Sequence, residues 1–187
     1  MDISASLKNQ LLIAMPNLED PNFSRTVTFI CEHNDEGALG IVINRPMGMD
    51  LEEILKHIDV EPVNESIGSI PVYTGGPVQP ERGFVLHRPL GDWEATMKVN
   101  DQVGITSSRD ILQAMARGEG PDQALVALGY AGWGAGQLEE EMAANAWLSG
   151  PADEAILFEV PVEKRWAAAA AKLGVDLNLL SGDVGHA

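Results

Sequence analysis

Two β-branched runs stand close together near the start of the chain, RTVTFIC over residues 25–31 and ALGIVIN over 38–44. Between them lies Glu32-His33-Asn34-Asp35-Glu36-Gly37, a polar stretch whose Asn, Asp and Gly supply turn chemistry. Runs this close pair as an antiparallel hairpin, because a parallel partner needs a crossover of a dozen residues or more. In the second run Leu39, Ile41 and Ile43 alternate to one face while Val42 points to the other, so this strand is expected to be buried on both sides.

The remaining elements are read from the same periodicities. A strand is expected over 10–15, followed by a turn at 19–22, with further strands over 70–74, 83–87, 94–99, 102–106, 124–131 and 155–160. Arg45-Pro46 stops the second hairpin strand. Asp50 opens a helix over 51–58 with Glu53 completing a capping box, and 61–69 reads as a loop. Helices follow at 107/108–117 and 137–146. The last, over 162–173, has Pro161 at its first turn and Gly174 beyond its end. Strands joined by short turns and interspersed with helices make the class α+β with mainly antiparallel pairing. At 187 residues the chain is read as one domain, 1–187.

Charge narrows the functional classes. There are 28 acidic residues against 12 Lys plus Arg, a net charge of −16. A surface of that sign repels phosphate, which disfavours direct nucleic-acid binding and adhesion to anionic membranes. The single cysteine, Cys31, cannot form an internal disulfide. The apolar run Leu11-Leu12-Ile13-Ala14-Met15 is too short for a signal-peptide core. The expected location is therefore the cytoplasm.

Known catalytic patterns are missing. No serine lies in G-x-S-x-G, and the glycines form neither a phosphate-cradling P-loop nor a dinucleotide fingerprint. The histidines at 33, 57, 87 and 186 are isolated, without the spacing of a metal pair, so no metal or cofactor is expected. Cys31 and His33 would share a face if the strand ran regularly to residue 33; Cys31 is read instead as a small buried strand residue. The segment GYAGWGAG over 129–136 leads into a helix opened by Glu139, Glu140 and Glu141. Those acids complement the positive helix end and would repel an anion. At about 100° per residue they cannot converge on one ion, so the glycines are read as a tight turn that lets Trp133 pack.

The blocks DPNFSRTVTFICEHNDEGALGIVINRP over 20–46, GGPVQPERGFVLH over 75–87 and GYAGWGAGQLEEEMAANAWL over 129–148 together resemble the AlgH/YqgE family in wording and order. The resemblance runs from about Leu11 to the C-terminal helix. It implies a branched β-sheet partly closed into a small barrel and surrounded by helices, in a cytosolic bacterial protein. It also carries a family label of transcriptional regulation but no catalytic residues. The matching motifs leave His33, Asn34, Asn44, Arg45, Gly75, Gly76, Arg82, His87 and Trp133 as ligand-binding candidates.

The leading expectation is a non-catalytic protein that binds a protein partner or a small ligand. One alternative is an enzyme with a polar cleft around His33, Asn44, Arg45 and His87, where Arg45 could clamp a carboxylate. The other is the regulator that the family label names, acting on promoter DNA.

Overall fold

The computed structural model describes residues 6–18 and 20–177; Glu19 of the expected turn and His186 lie outside the described residues. The elements are β1 (Gln10–Ala14), β2 (Val27–Asn34), β3 (Gly37–Val42), β4 (Pro46–Asp50), α1 (Leu51–His57), α2 (Glu65–Gly68), β5 (Pro71–Thr74), β6 (Val78–Arg88), β7 (Thr96–Lys98), β8 (Gly104–Thr106), α3 (Arg109–Ala116), β9 (Gln123–Gly134), α4 (Gln137–Ala143), β10 (Trp147–Pro151), α5 (Glu154–Phe158) and α6 (Arg165–Ala171), with a 3-10 turn at Val162–Lys164. The α+β class and the hairpin of β2 and β3 are as the sequence led us to expect.

One ten-stranded sheet runs in the order β10-β1-β2-β3-β9-β6-β8-β7, with β4 and β5 branching from it. The trunk is β9. Its C-terminal half pairs with β3, while its N-terminal half lies between β6, antiparallel, and β5, parallel. All other pairings are antiparallel, and the sheet curls into a half-barrel flanked by helices.

The inner face of this curl carries one continuous core. Leu11, Phe29, Ile41, Leu86, Ile105 and Leu125 meet Ile156 and Leu157 of α5 and Ala169 and Ala170 of α6 there. The outer face is divided. Around Trp133, Leu12 and Ile30 pack under Leu138 of α4; around Val126, Val85 and Val72 pack under α1 and α3. A change of phase in β9 makes the division, for Ala127 and Tyr130 both belong to the inner core although three residues apart. Between them Gly129 has φ +79°, a conformation open to glycine at little cost.

Several expectations are corrected. Where a strand was expected over 155–160, Glu154–Phe158 form a helix. Asp153 accepts hydrogen bonds from the N–H groups of Ala155 (2.8 Å) and Ile156 (3.4 Å), an N-cap that competes successfully with a β-rich composition. The segment read as a loop over 61–69 contains α2, capped by Asn64, whose side chain accepts from Ile67 N–H at 3.0 Å. The capping box at α1 does not form, since Asp50 makes no side-chain cap. Instead Asp50 ends β4, a mostly exposed strand that begins at Pro46. The strand β10 was not anticipated; its short run WLSGP pairs with β1 along its whole length. The last helix begins as a 3-10 turn and becomes α-helical only at Arg165.

Candidate functional site

Most of the candidate polar residues are bound to the protein itself. Asn44 accepts from Val27 N–H (2.9 Å) and donates to Arg25 carbonyl (3.0 Å). Arg45 donates to the carbonyls of Pro21 (2.6 Å) and Ser24 (2.8 Å). Together they stitch down the loop before β2, and the Arg45 fork has carbonyls where a ligand carboxylate would sit. Asn34 accepts from Glu36 N–H at 2.8 Å and closes the hairpin turn.

A β-bulge explains the positions of Cys31 and His33. Ile30 faces Gly40 and Glu32 faces Leu39, so Cys31 is the extra residue and the alternation reverses after it. Cys31 falls in the inner core, where burial pushes its thiol pKa well up. His33 falls beside Ala38 on the outer face, where its Nδ1 accepts from Leu7 N–H (2.7 Å). That leaves the ring proton on Nε2, facing Glu139 Oε2 at 3.0 Å.

Trp133 is buried under the same helix. Its indole N–H and that of Trp147 both donate to Glu141 Oε1, at 3.0 and 2.9 Å. The Phe23 ring lies 6.0 Å from one indole and 5.6 Å from the other. Glu139 and Glu141 thus serve different partners, in keeping with their angular separation. Gly75 and Gly76 mark a crossing of backbones: a Cβ on Gly75 would stand 2.3 Å from Gly129 carbonyl oxygen, and one on Gly76 2.1 Å from Tyr130 carbonyl carbon.

His87 is fully buried. Its Nδ1 lies 3.0 Å from Pro89 carbonyl, which can only accept, so Nδ1 carries the proton. Nε2 then accepts from Thr106 Oγ1 at 2.6 Å, and Thr106 in turn accepts from Thr96 Oγ1 at 2.7 Å. Burial lowers the His87 pKa. The four residues of the enzyme alternative therefore lie apart: His33 under α4, Asn44 and Arg45 at the loop before β2, His87 between β6 and β8.

Arg82 stands elsewhere, in an extruded segment of β6. The β6 register jumps from Val78 opposite Tyr130 to Gly83 opposite Leu128, so residues 79–82 stand out of the ladder, with Gln79 at φ +46°. This bulge separates two clefts. Glu81 lines the first, of about 440 Å³, and Arg82 the second, of about 400 Å³, while Phe84 and Ser107 contribute to both. None of His33, Asn44, Arg45 and His87 lines either one.

The first cleft is a trough between two helices. Ile54 and Ile58 form one wall, Leu112 the other, and Val85, Val126 and Leu128 the floor; His57, Glu81 and Arg109 stand among them. Sequence reasoning placed Ile54 and Ile58 on one helix and Leu112 on the next but gave none of them a role. Helical spacing does not show that a stripe packed against the core also leaves part of its surface open. Among the described residues no three His, Cys, Asp or Glu side chains gather closely enough to hold a metal ion. No described helix is long and apolar enough to cross a membrane.

The AlgH-like family, DUF179, matches residues 11–178. The chain belongs to this AlgH family. Among its relatives, a UPF0301 protein of Thioalkalivibrio sulfidiphilus is 61% identical over the full length of both chains. Another, from Nitrosococcus oceani, is 60% identical over 96% of each. The solution structure of AlgH from Pseudomonas aeruginosa superposes with a TM-score of 0.80 at 49% identity, covering all of both chains. A crystal structure from Corynebacterium diphtheriae shares the fold at 17% identity, with a TM-score of 0.73 over 97% of this chain and 94% of that one. The AlgH fold thus persists where most side chains have changed.

Proposed function

We propose that this protein is a non-catalytic binding protein whose first cleft receives an apolar, positively charged amphipathic segment of a partner protein. The observation that carries this reading is the contrast between spent and unspent side chains. Asn44, Arg45, His33, His87 and Trp133 are consumed by the fold's own hydrogen bonds, whereas Ile54, Ile58 and Leu112, half-buried against the outer core, also leave apolar surface lining a trough. Two helices flanking an apolar floor suit a partner helix laid between them. A net charge of −16 steers basic segments toward the surface and anionic ones away. The same charge opposes direct operator binding, so a regulatory role of the kind the family label names would run through a protein partner.

The test uses a labelled model peptide with Leu and Lys at helical spacing and its Leu/Glu counterpart. Fluorescence anisotropy is expected to show saturable binding of the Leu/Lys peptide that weakens with salt, and no binding of the Leu/Glu peptide. Ile54→Gln with Leu112→Gln, a change that leaves charge untouched, lowers the affinity about tenfold or more. Equal binding to the double variant, or no binding of either peptide, contradicts the reading.

A further inference from the structure

The second cleft lies beside the first, with Arg82 of the extruded 79–82 segment in its lining. Its floor is the exposed margin of the inner core: Leu39, Phe84, Met97, Ile105 and Tyr130. Two opposite charges, Arg82 and Glu94, stand at its rim. Among the described residues neither is ion-paired, to the other or to any third group. Arg45, Arg88 and Arg165 likewise bond carbonyl or amide oxygens rather than acids, so what sets Arg82 apart is its place at this cleft. The one hydrogen-bond contact of Arg82 is a long one, 3.4 Å to Gln79 Oε1.

The Arg82 side chain and the Glu94 backbone are nevertheless held. The Arg82 guanidinium lies over the Phe84 ring, 5.2 Å from its centroid, and Tyr130 meets the same ring edge-on at 5.8 Å. On the other side, Glu94 N–H donates to Asp110 Oδ2 (2.8 Å) and Ala95 N–H to Ser108 Oγ (3.0 Å), which fixes the backbone that carries the carboxylate. A cation resting on an aromatic ring and an anion carried on a bonded stretch of backbone, both lining one cleft, present complementary contacts to a ligand bearing the opposite pair.

We infer that this cleft binds a small amino-carboxylate with an apolar body, the simplest members being apolar α-amino acids. Arg82 takes the carboxylate, Glu94 the ammonium group, and the floor the side chain. Because such a ligand is neutral overall, the −16 charge does not repel it as it would a plain acid. The site shares only Phe84 and Ser107 with the peptide trough and stands or falls independently of it.

The probe is L-leucine, titrated into the ¹⁵N-labelled full-length protein and followed by amide chemical shifts. Saturable shifts are expected at Phe84, Met97 and Tyr130. Leucinamide, which lacks the carboxylate, and 4-methylpentanoate, which lacks the ammonium, each bind about tenfold or more weakly, as one charge-assisted contact is lost. Arg82→Gln and Glu94→Gln produce losses of the same size for leucine. Both side chains are exposed, so the rest of each variant's spectrum should remain that of the folded protein. Three results would overturn the inference: no saturable shift with leucine, equal affinity for leucine and leucinamide, or unchanged leucine binding in the two variants.

Discussion

The two halves of the sheet's outer face are covered by helices in different ways. Under α4 the cover is sealed. Glu141 joins the indoles of Trp133 and Trp147, His33 meets Glu139, and Phe23 packs across both tryptophans. Under α1 and α3 the helices reach the sheet through Leu51, Leu55, Ile111 and Met115, yet leave a trough between them. Two of the residues that look most functional, His33 and Trp133, are among those that close the first face. The second face, built from unremarkable aliphatic residues, is the one left open.

The largest expected effect lies on the sealed face. Glu141→Ala leaves two indole N–H groups without an acceptor, and should cost about 2–4 kcal/mol in urea unfolding. On the open face, truncating Leu112 to Ala removes a half-buried wall residue and should cost about 1 kcal/mol or less. Equal costs would remove the contrast between the two covers.

A middle-sized effect concerns pH. The folded-state pKa of His87 lies below its unfolded value, through burial. As pH falls below about 6.5, the unfolded chain therefore takes up a proton that the native state refuses. Stability should drop from there toward the lower folded pKa, with a slope approaching about 1.4 kcal/mol per pH unit. His87→Gln should flatten that part of the profile in urea titrations between neutral and mildly acid pH. An unchanged slope would mean that His87 is protonated as readily folded as unfolded.

Much of the fold was legible because its signals are local. The hairpin of β2 and β3, the strand character of β9 and the helix after Ser108 follow from period-two runs, turn residues and a helix start. The errors arose where a distant partner decided the outcome. Pro46–Asp50 becomes a strand only because β5 lies alongside, and WLSGP only because β1 does. At 155–160 a single capping carboxylate, Asp153, outweighed the β-rich residues after it. The site was less legible still. Bulges do not announce themselves in composition, yet one at Cys31 sends His33 to the opposite face, and another extrudes residues 79–82 between two clefts. Of the nine candidates only Arg82 lines either of these clefts.

The central claim, that the open face works while the α4 face holds the fold together, is tested most directly by amide chemical-shift mapping with the Leu/Lys peptide. The account predicts that shifts concentrate at Ile54, Ile58, Leu112 and the 79–85 segment, with Trp133, Glu139 and Glu141 silent. Shifts centred on α4 and the Trp133–Trp147 pair, with the trough unmoved, would contradict it.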